Sequence, residues 1–207
     1  MTELVYATKN PGKLAEVRTF FGKHHLKIVS ATDLGILIED PEESSATLED
    51  NGRTKVRAYA KALRAAGIRA IVLSDDTGLE IASLGDEPGI HVRRWKDGKT
   101  RMSDEEIISY ALERMQGLAG KARAATFRCV LAVAAPKDNG DIGGIITFES
   151  RRRGHIREAA IKERVEGFPF VSLFTPEKEE GLSHREAAIE EALPFLLYEL
   201  SRPTKPA

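Results

Sequence analysis

At 207 residues, 42% hydrophobic and 30% charged, the chain has the length for one domain with a sizeable core and the composition of a folded protein. Thirty-one Lys and Arg against 32 Asp and Glu leave a net charge of −1, which excludes the bulk basic field of a nucleic-acid binder; a single cysteine excludes an intrachain disulfide, a zinc ribbon and a CxxC redox site, so a reducing cytoplasm is the expected setting. The longest apolar run, Cys129 to Ala135, is far too short to cross a bilayer, and Met1-Thr2-Glu3 does not begin a secretory signal, so no membrane partner is expected.

Leu4-Val5-Tyr6-Ala7 reads as a short strand, stopped by Asn10-Pro11-Gly12, after which Leu14, Val17, Phe20 and Phe21 recur at helical spacing. Leu26 to Val29 reads as a second short strand, followed by the acidic loop Glu39-Asp-Pro-Glu-Glu-Ser-Ser45. Thr47 with Asp50 has the spacing of a capping box, and Val56, Tyr59, Ala60 and Leu63 keep the helical period up to Gly67, a suitable C-cap. Ala70 to Leu73 is a buried-strand pattern running into Ser74-Asp-Asp-Thr-Gly78, which predicts two carboxylates at the C-terminal end of a strand. A helix is predicted from Ser103-Asp104 through Met115, with Ile107, Ile108, Ala111 and Met115 on one face and Gly117 closing it. Thr126 to Ala134 and Ile142 to Phe148 flank the turn signal Pro136-Lys-Asp-Asn-Gly140 and read as a hairpin. A last helix is predicted from His184 to Leu200, interrupted or kinked near Pro194, with residues 201–207 as a flexible tail. No linker or repeat divides the chain, so residues 1–207 read as a single α/β domain with a mixed sheet.

Chemistry concentrates at a few places. The loop Thr8-Lys-Asn-Pro-Gly-Lys13 joins a strand to a helix, where backbone N–H groups and the positive end of the helix dipole favour an anion; Thr8 and Asn10 add donors and Lys13 a charge. It is not a Walker A loop, which would need glycine at Ala7 and a hydroxyl at Leu14, and an Asn-Pro-Gly turn followed by a surface lysine is the plainer alternative. Asp75 and Asp76, with Glu80 nearby and Glu42 and Glu43 in the acidic loop, repel one another unless a cation meets them; magnesium with a phosphate substrate fits, and a solvated acidic turn is the alternative. Asp76-Thr77-Gly78 also spells the aspartic-protease tripeptide, although only one copy is present and the chain is long for a one-copy dimeric protease. Arg151-Arg152-Arg153 reads as a solvated face, Ser183 as an N-cap, and His24-His25 has no ligand partners at useful spacing.

Taken together, Ala7-Thr-Lys-Asn-Pro-Gly-Lys13, Thr47-Leu-Glu-Asp-Asn51 with Lys55, Ser74-Asp-Asp-Thr-Gly-Leu79, Gly85-x-x-Pro-Gly89, Phe127-x-Cys-Val-Leu131 and Ser183-His-Arg185 occur in the order of the Ham1-like inosine triphosphate pyrophosphatases, which the sequence resembles over nearly its whole length. The resemblance implies a bilobed α/β domain around a long mixed, twisted sheet with flanking helices and an active-site cleft between lobes. It also implies homodimers and magnesium-dependent hydrolysis of ITP, dITP and XTP to the monophosphate and pyrophosphate. It assigns Thr8, Asn10, Lys13 and Lys55 to the triphosphate, Glu43 and Asp76 to the metal, and Asp76 also to the base for the attacking water. Asp75 and Thr77 are assigned to the same site, Phe168, His184 and Arg185 to recognition of the base, and Ser183 to the substrate. Two departures stand out: the family's Gly-Phe-Gly-Tyr-Asp-Pro reads here Gly167-Phe-Pro-Phe-Val-Ser172, with Val171 in place of an aspartate, and Glu179 stands where a lysine is expected before Ser183. A nucleotide-binding protein of the same fold with altered base specificity or lost turnover is the alternative that these departures leave open.

Overall fold

The computed structural model describes residues 2–39, 41, 46–139 and 141–203. In chain order it runs β1 (Glu3–Tyr6), α1 (Pro11–Lys23), α2 (Leu48–Ala65), β2 (Ala70–Ile81), β3 (Glu87–Gly89), α3 (Asp104–Arg114), β4 (Ala124–Pro136), β5 (Ile142–Ile156), β6 (Phe174–Pro176) and α4 (His184–Ser201). The strands form one sheet in the order β1-β2-β4-β5-β6, with β3 also on β2; β1 runs parallel to β2, whereas β3 on β2 and β6 on β5 are antiparallel, so the fold is mixed α/β. No helix of the described residues is long and apolar enough to cross a membrane. The chain forms two compact units: Met1–Asp76, Cys129–Ser150 and Arg185–Ala207 make the first, Thr77–Arg128 and Arg151–His184 the second.

In the first unit, β1 and β2 sort their side chains by strand alternation. Leu4, Tyr6, Ile71 and Leu73 face Val17, Phe20 and Phe21 of α1 and Ala188, Ile189, Ala192 and Leu196 of α4. Val5, Ala7, Ala70 and Val72 face Val56, Tyr59 and Leu63 of α2. α2 starts where the sequence predicts, whereas α1 starts at Pro11, inside the segment read as a loop; in each a side chain satisfies the first orphan donors, Asn10 accepting from the N–H groups of Gly12 and Lys13, and Thr47 from that of Asp50.

In the second unit, Leu79, Ile81, Ile107, Ile108, Ala111, Met115, Ile156, Phe170 and Leu173 make a separate core. Ser103 and Glu106 form a complete capping box at the start of α3. Gly78 and Gly89, from two different sequence motifs, meet where β3 lies on β2: a Cβ on Gly78 would come within 2.7 Å of the Gly89 carbonyl oxygen, so only glycine allows this approach.

The structure corrects the sequence reading in several places. Leu26 to Val29 makes a single bridge, Val29 with Val5, in place of a strand. β2 runs through Ser74-Asp-Asp-Thr-Gly78 to Ile81, because Leu79 and Ile81 continue the buried alternation and pair with β3; Asp75 and Asp76 therefore lie inside a strand and not at its end. β4 and β5 extend well beyond the predicted hairpin, which puts Arg151-Arg152-Arg153 within β5. α4 runs through Pro194 to Ser201, held by buried Ala188, Ile189, Ala192, Leu193 and Leu196 on either side of the proline, so Ser201 belongs to the helix and not to the tail.

Candidate functional site

Because adjacent strand residues point to opposite faces, continuing β2 through both aspartates separates them. Asp75 turns to the α1 and α4 side, where it is 2% exposed. The Tyr6 hydroxyl donates to its Oδ1, Lys13 Nζ donates to Oδ2 at 2.9 Å, and Arg185 Nε lies 3.2 Å from Oδ2. Arg185, the first-turn residue of α4 and also 2% exposed, places Nη1 on Glu16 of α1. Burial alone would raise the Asp75 pKa, but the Arg185 and Lys13 charges and the Tyr6 hydrogen bond outweigh it and hold the carboxyl well below the carboxylate range. Burial, followed by the Asp75 charge, raises the Tyr6 phenol well above its ordinary value, so it stays a neutral donor.

Asp76 turns to the other face, where Asn51 Nδ2 of α2 donates to its Oδ2 at 3.0 Å. Lys55 follows Asn51 by one helical turn and so lies on the same side of α2. The repulsion expected between neighbouring carboxylates is thus met in two ways: a neutral amide for Asp76, and for Asp75 the cations of Lys13 and Arg185.

In the first loop, the Thr8 Oγ1 accepts from the Asn10 N–H at 3.1 Å, leaving its own proton to donate. Asn10 Oδ1 is engaged in capping α1, so the amide Nδ2 is the part of that side chain suited to an anion. Glu43 lies outside the described residues, and among the described residues no three His, Cys, Asp or Glu side chains converge as a metal site. The donor chemistry fits magnesium all the same, since that ion is commonly held by one or two carboxylates with waters and substrate phosphates completing its shell. Asp76 supplies one such carboxylate, oriented by the hydrogen bond from Asn51.

The second unit holds Thr77, Phe168, Ser183 and His184. The His184 imidazole stacks on Phe127 with ring centroids 4.6 Å apart and planes 10° from parallel, and Phe127 in turn packs edge-on against Phe174 at 4.8 Å. The segment carrying Phe168 is tied down from both sides: Gly167 N–H donates to Asp104 of α3 at 2.8 Å, and Phe168 N–H to the Val165 carbonyl at 2.9 Å. Val171 is 40% exposed and Glu179 is exposed, so both departures lie at the surface.

Sequence reasoning had no role for Tyr6, Glu16 or Asn51. Asn51 had a signal, being a polar residue one turn before Lys55 on the buried side of α2, and Glu16 is three residues beyond Lys13 on α1. Tyr6 had none, since a tyrosine in an apolar strand reads as core.

The sequence pattern of the Ham1 family matches residues 4–195. The dITP/XTP pyrophosphatase of Oceanobacillus iheyensis is 30% identical, the match covering 92% of this chain and 96% of that protein. The dITP/XTP pyrophosphatase of Thermus thermophilus is 34% identical over 91% of this chain and 83% of that one. Among solved structures, the Ham1 protein of Staphylococcus aureus has a TM-score of 0.69 at 27% identity, covering 96% of this chain and all 100% of its own. A Ham1 protein from Coxiella burnetii gives 0.70 at 27% identity with the same coverage. With a pattern match over most of its length and relatives at or above 30% identity, the chain belongs to the Ham1 family.

Proposed function

We propose that this chain is a nucleoside triphosphate pyrophosphatase that cleaves non-canonical purine nucleotides (ITP, dITP and XTP) between the α- and β-phosphates. The observation that carries the reading is the two-faced placement of the aspartates on β2: Asp75 holds Lys13 beside the start of α1, and Asp76 is turned to α2 with Asn51. Relatives matched over 96% and 83% of their own lengths bear the name dITP/XTP pyrophosphatase.

In this reading the Thr8 hydroxyl, the Asn10 amide, the Lys13 and Lys55 ammonium groups and the positive end of α1 meet charge already present on the triphosphate. Asp76 orients a water in line with the α-phosphorus and takes its proton as the new O–P bond forms and the bond to pyrophosphate breaks. A divalent metal, magnesium here, held by Asp76 and Glu43, supplies charge neutralisation at the phosphates when bound. Asp75 and Thr77 line the same stretch of β2. Phe168, His184 and Arg185 are assigned to the base and Ser183 to the substrate, a reading supported for Phe168 and His184 by the anchoring of Gly167 on Asp104 and by the His184–Phe127 stack. A homodimer in the cytoplasm completes the proposal, resting on the resemblance and on the single cysteine.

A second reading, nucleotide binding without turnover, draws on Val171 and Glu179 in the places of the family's aspartate and lysine. A panel of dITP, XTP, dATP and dGTP assayed for pyrophosphate release with magnesium separates the two. Release from dITP and XTP supports the enzyme; binding of those nucleotides with no release from any supports the second reading.

A further inference from the structure

We propose that Arg185 and Tyr6 are positioning residues for the triphosphate-binding lysine: they hold the Asp75 carboxylate, and Asp75 holds Lys13. This rests on the reading of Lys13 as a phosphate ligand and gives Arg185 a task besides the base contact that the resemblance assigns to it.

Four charges make the network, Lys13 and Arg185 against Asp75 and Glu16, and they sum to zero. A carboxylate this deeply buried persists only when its charge and lone pairs are met, and here one oxygen takes the Tyr6 hydroxyl and the other the two cations. The guanidinium of Arg185 is turned inward, with Nε toward Asp75 and Nη1 on Glu16, at 2% exposure. One side chain thereby ties the first turn of α4 to β2 and to α1, and Glu16 lies on α1 three residues beyond Lys13. A lysine side chain otherwise loses rotamer freedom when fixed, and a preset ammonium avoids that loss at the moment a phosphate binds. Lysine at 185 carries the charge but cannot span two carboxylates with a planar fork.

Tyr6→Phe is the sharpest variant, because it removes one hydroxyl and keeps the ring in the core; Arg185→Lys accompanies it, with thermal melts reporting on folding. Three readouts are taken. The first is KM and kcat for dITP alongside the inhibition constant of inorganic tripolyphosphate, which has no base. The second is the ratio of kcat/KM for dITP to that for dGTP. The third is the Nζ resonance of Lys13 in protein labelled with 15N-lysine, which needs no substrate. Both variants are expected to raise KM and the tripolyphosphate constant together, by roughly 5- to 50-fold, with kcat changed less, and Tyr6→Phe, which touches no residue assigned to the base except through Asp75, leaves the base ratio within twofold of wild type. The Lys13 resonance moves while that of Lys137 does not. In a Lys13→Ala background the effect of Arg185→Lys on tripolyphosphate falls below twofold. An unmoved Lys13 resonance, a full penalty in the Lys13→Ala background, or, for Tyr6→Phe, a base ratio changed more than fivefold with tripolyphosphate binding intact would overturn the proposal. Failure of the enzymatic reading appears separately, as wild-type protein that releases no pyrophosphate while the Lys13 resonance still responds to Tyr6→Phe.

Discussion

Replacing Asp75 by Asn exchanges one oxygen for an amide and leaves the shape of the side chain unchanged, so its effect isolates charge. Oδ1 can still accept from the Tyr6 hydroxyl. The new NH2 group, however, faces Lys13 Nζ at 2.9 Å and Arg185 Nε at 3.2 Å, donor against donor. The set of four charges becomes +1 around a guanidinium that is 2% exposed. Removing one partner of a buried ion pair costs about 3–5 kcal/mol, because the remaining charge is left uncompensated. At about 2–4 °C of melting temperature per kcal/mol for a chain of this size, the expected fall is roughly 6–20 °C. Urea unfolding followed by circular dichroism at neutral pH reads the same loss as a lower midpoint at unchanged slope. A loss below about 1 kcal/mol, the scale of an exposed pair, would refute the picture of Asp75 as the anchor of a buried network.

Three further outcomes are expected. Gly78→Ala drives a Cβ to within 2.7 Å of the Gly89 carbonyl oxygen, and overpacking of this kind costs about 1–3 kcal/mol in urea unfolding; a variant as stable as wild type would mean that β3 is not seated on β2 as described. Glu87 accepts from Arg114 Nη1 at 2.7 Å and Trp95 Nε1 at 3.0 Å, and these hydrogen bonds hold its pKa below the usual 4.5. A depressed folded pKa stabilises above the unfolded value and the gain drains away as pH falls through the folded one, so the stability gap between wild type and Glu87→Gln, below about 1 kcal/mol for so exposed a group, should close under pH 4.5; a gap that widens in acid would reverse the sign. Lys13→Ala should raise KM at least as much as it lowers kcat, since the ammonium meets charge present in both ground and transition states; an unchanged KM would return Lys13 to the surface residue of an Asn-Pro-Gly turn.

The helix starts at Thr47 and Ser103 were the most legible part of the fold, because these residues carry their capping chemistry in the side chain and need no distant partner; Asn10 does the same for α1 but reads in the sequence as part of a turn. β2 was underestimated for the opposite reason: Ser-Asp-Asp-Thr-Gly is poor in strand formers, and pairing with β3 together with burial of Leu79 and Ile81 overrides that local preference. Leu26 to Val29 erred the other way, an apolar run with only one bridging partner. In the candidate site, the loop from Thr8 to Lys13 and the aspartate pair were visible as residue types at suggestive spacing. Their division between two faces was not, because it follows from the strand continuing through them. Nor could the sequence bring Tyr6 to Asp75, 69 positions away, since that meeting depends on β1 lying parallel to β2 with Tyr6 beside Leu73.

The most direct measurement of the central claim is kcat for pyrophosphate release from dITP by wild type and by Asp76→Asn, at one saturating magnesium concentration. Asparagine keeps the shape and removes the proton acceptor along with a charged ligand, so the predicted loss is at least about a hundredfold, the scale of a positioned general base. Pyrophosphate release by Asp76→Asn at near the wild-type rate would contradict the assignment of Asp76 to the attacking water.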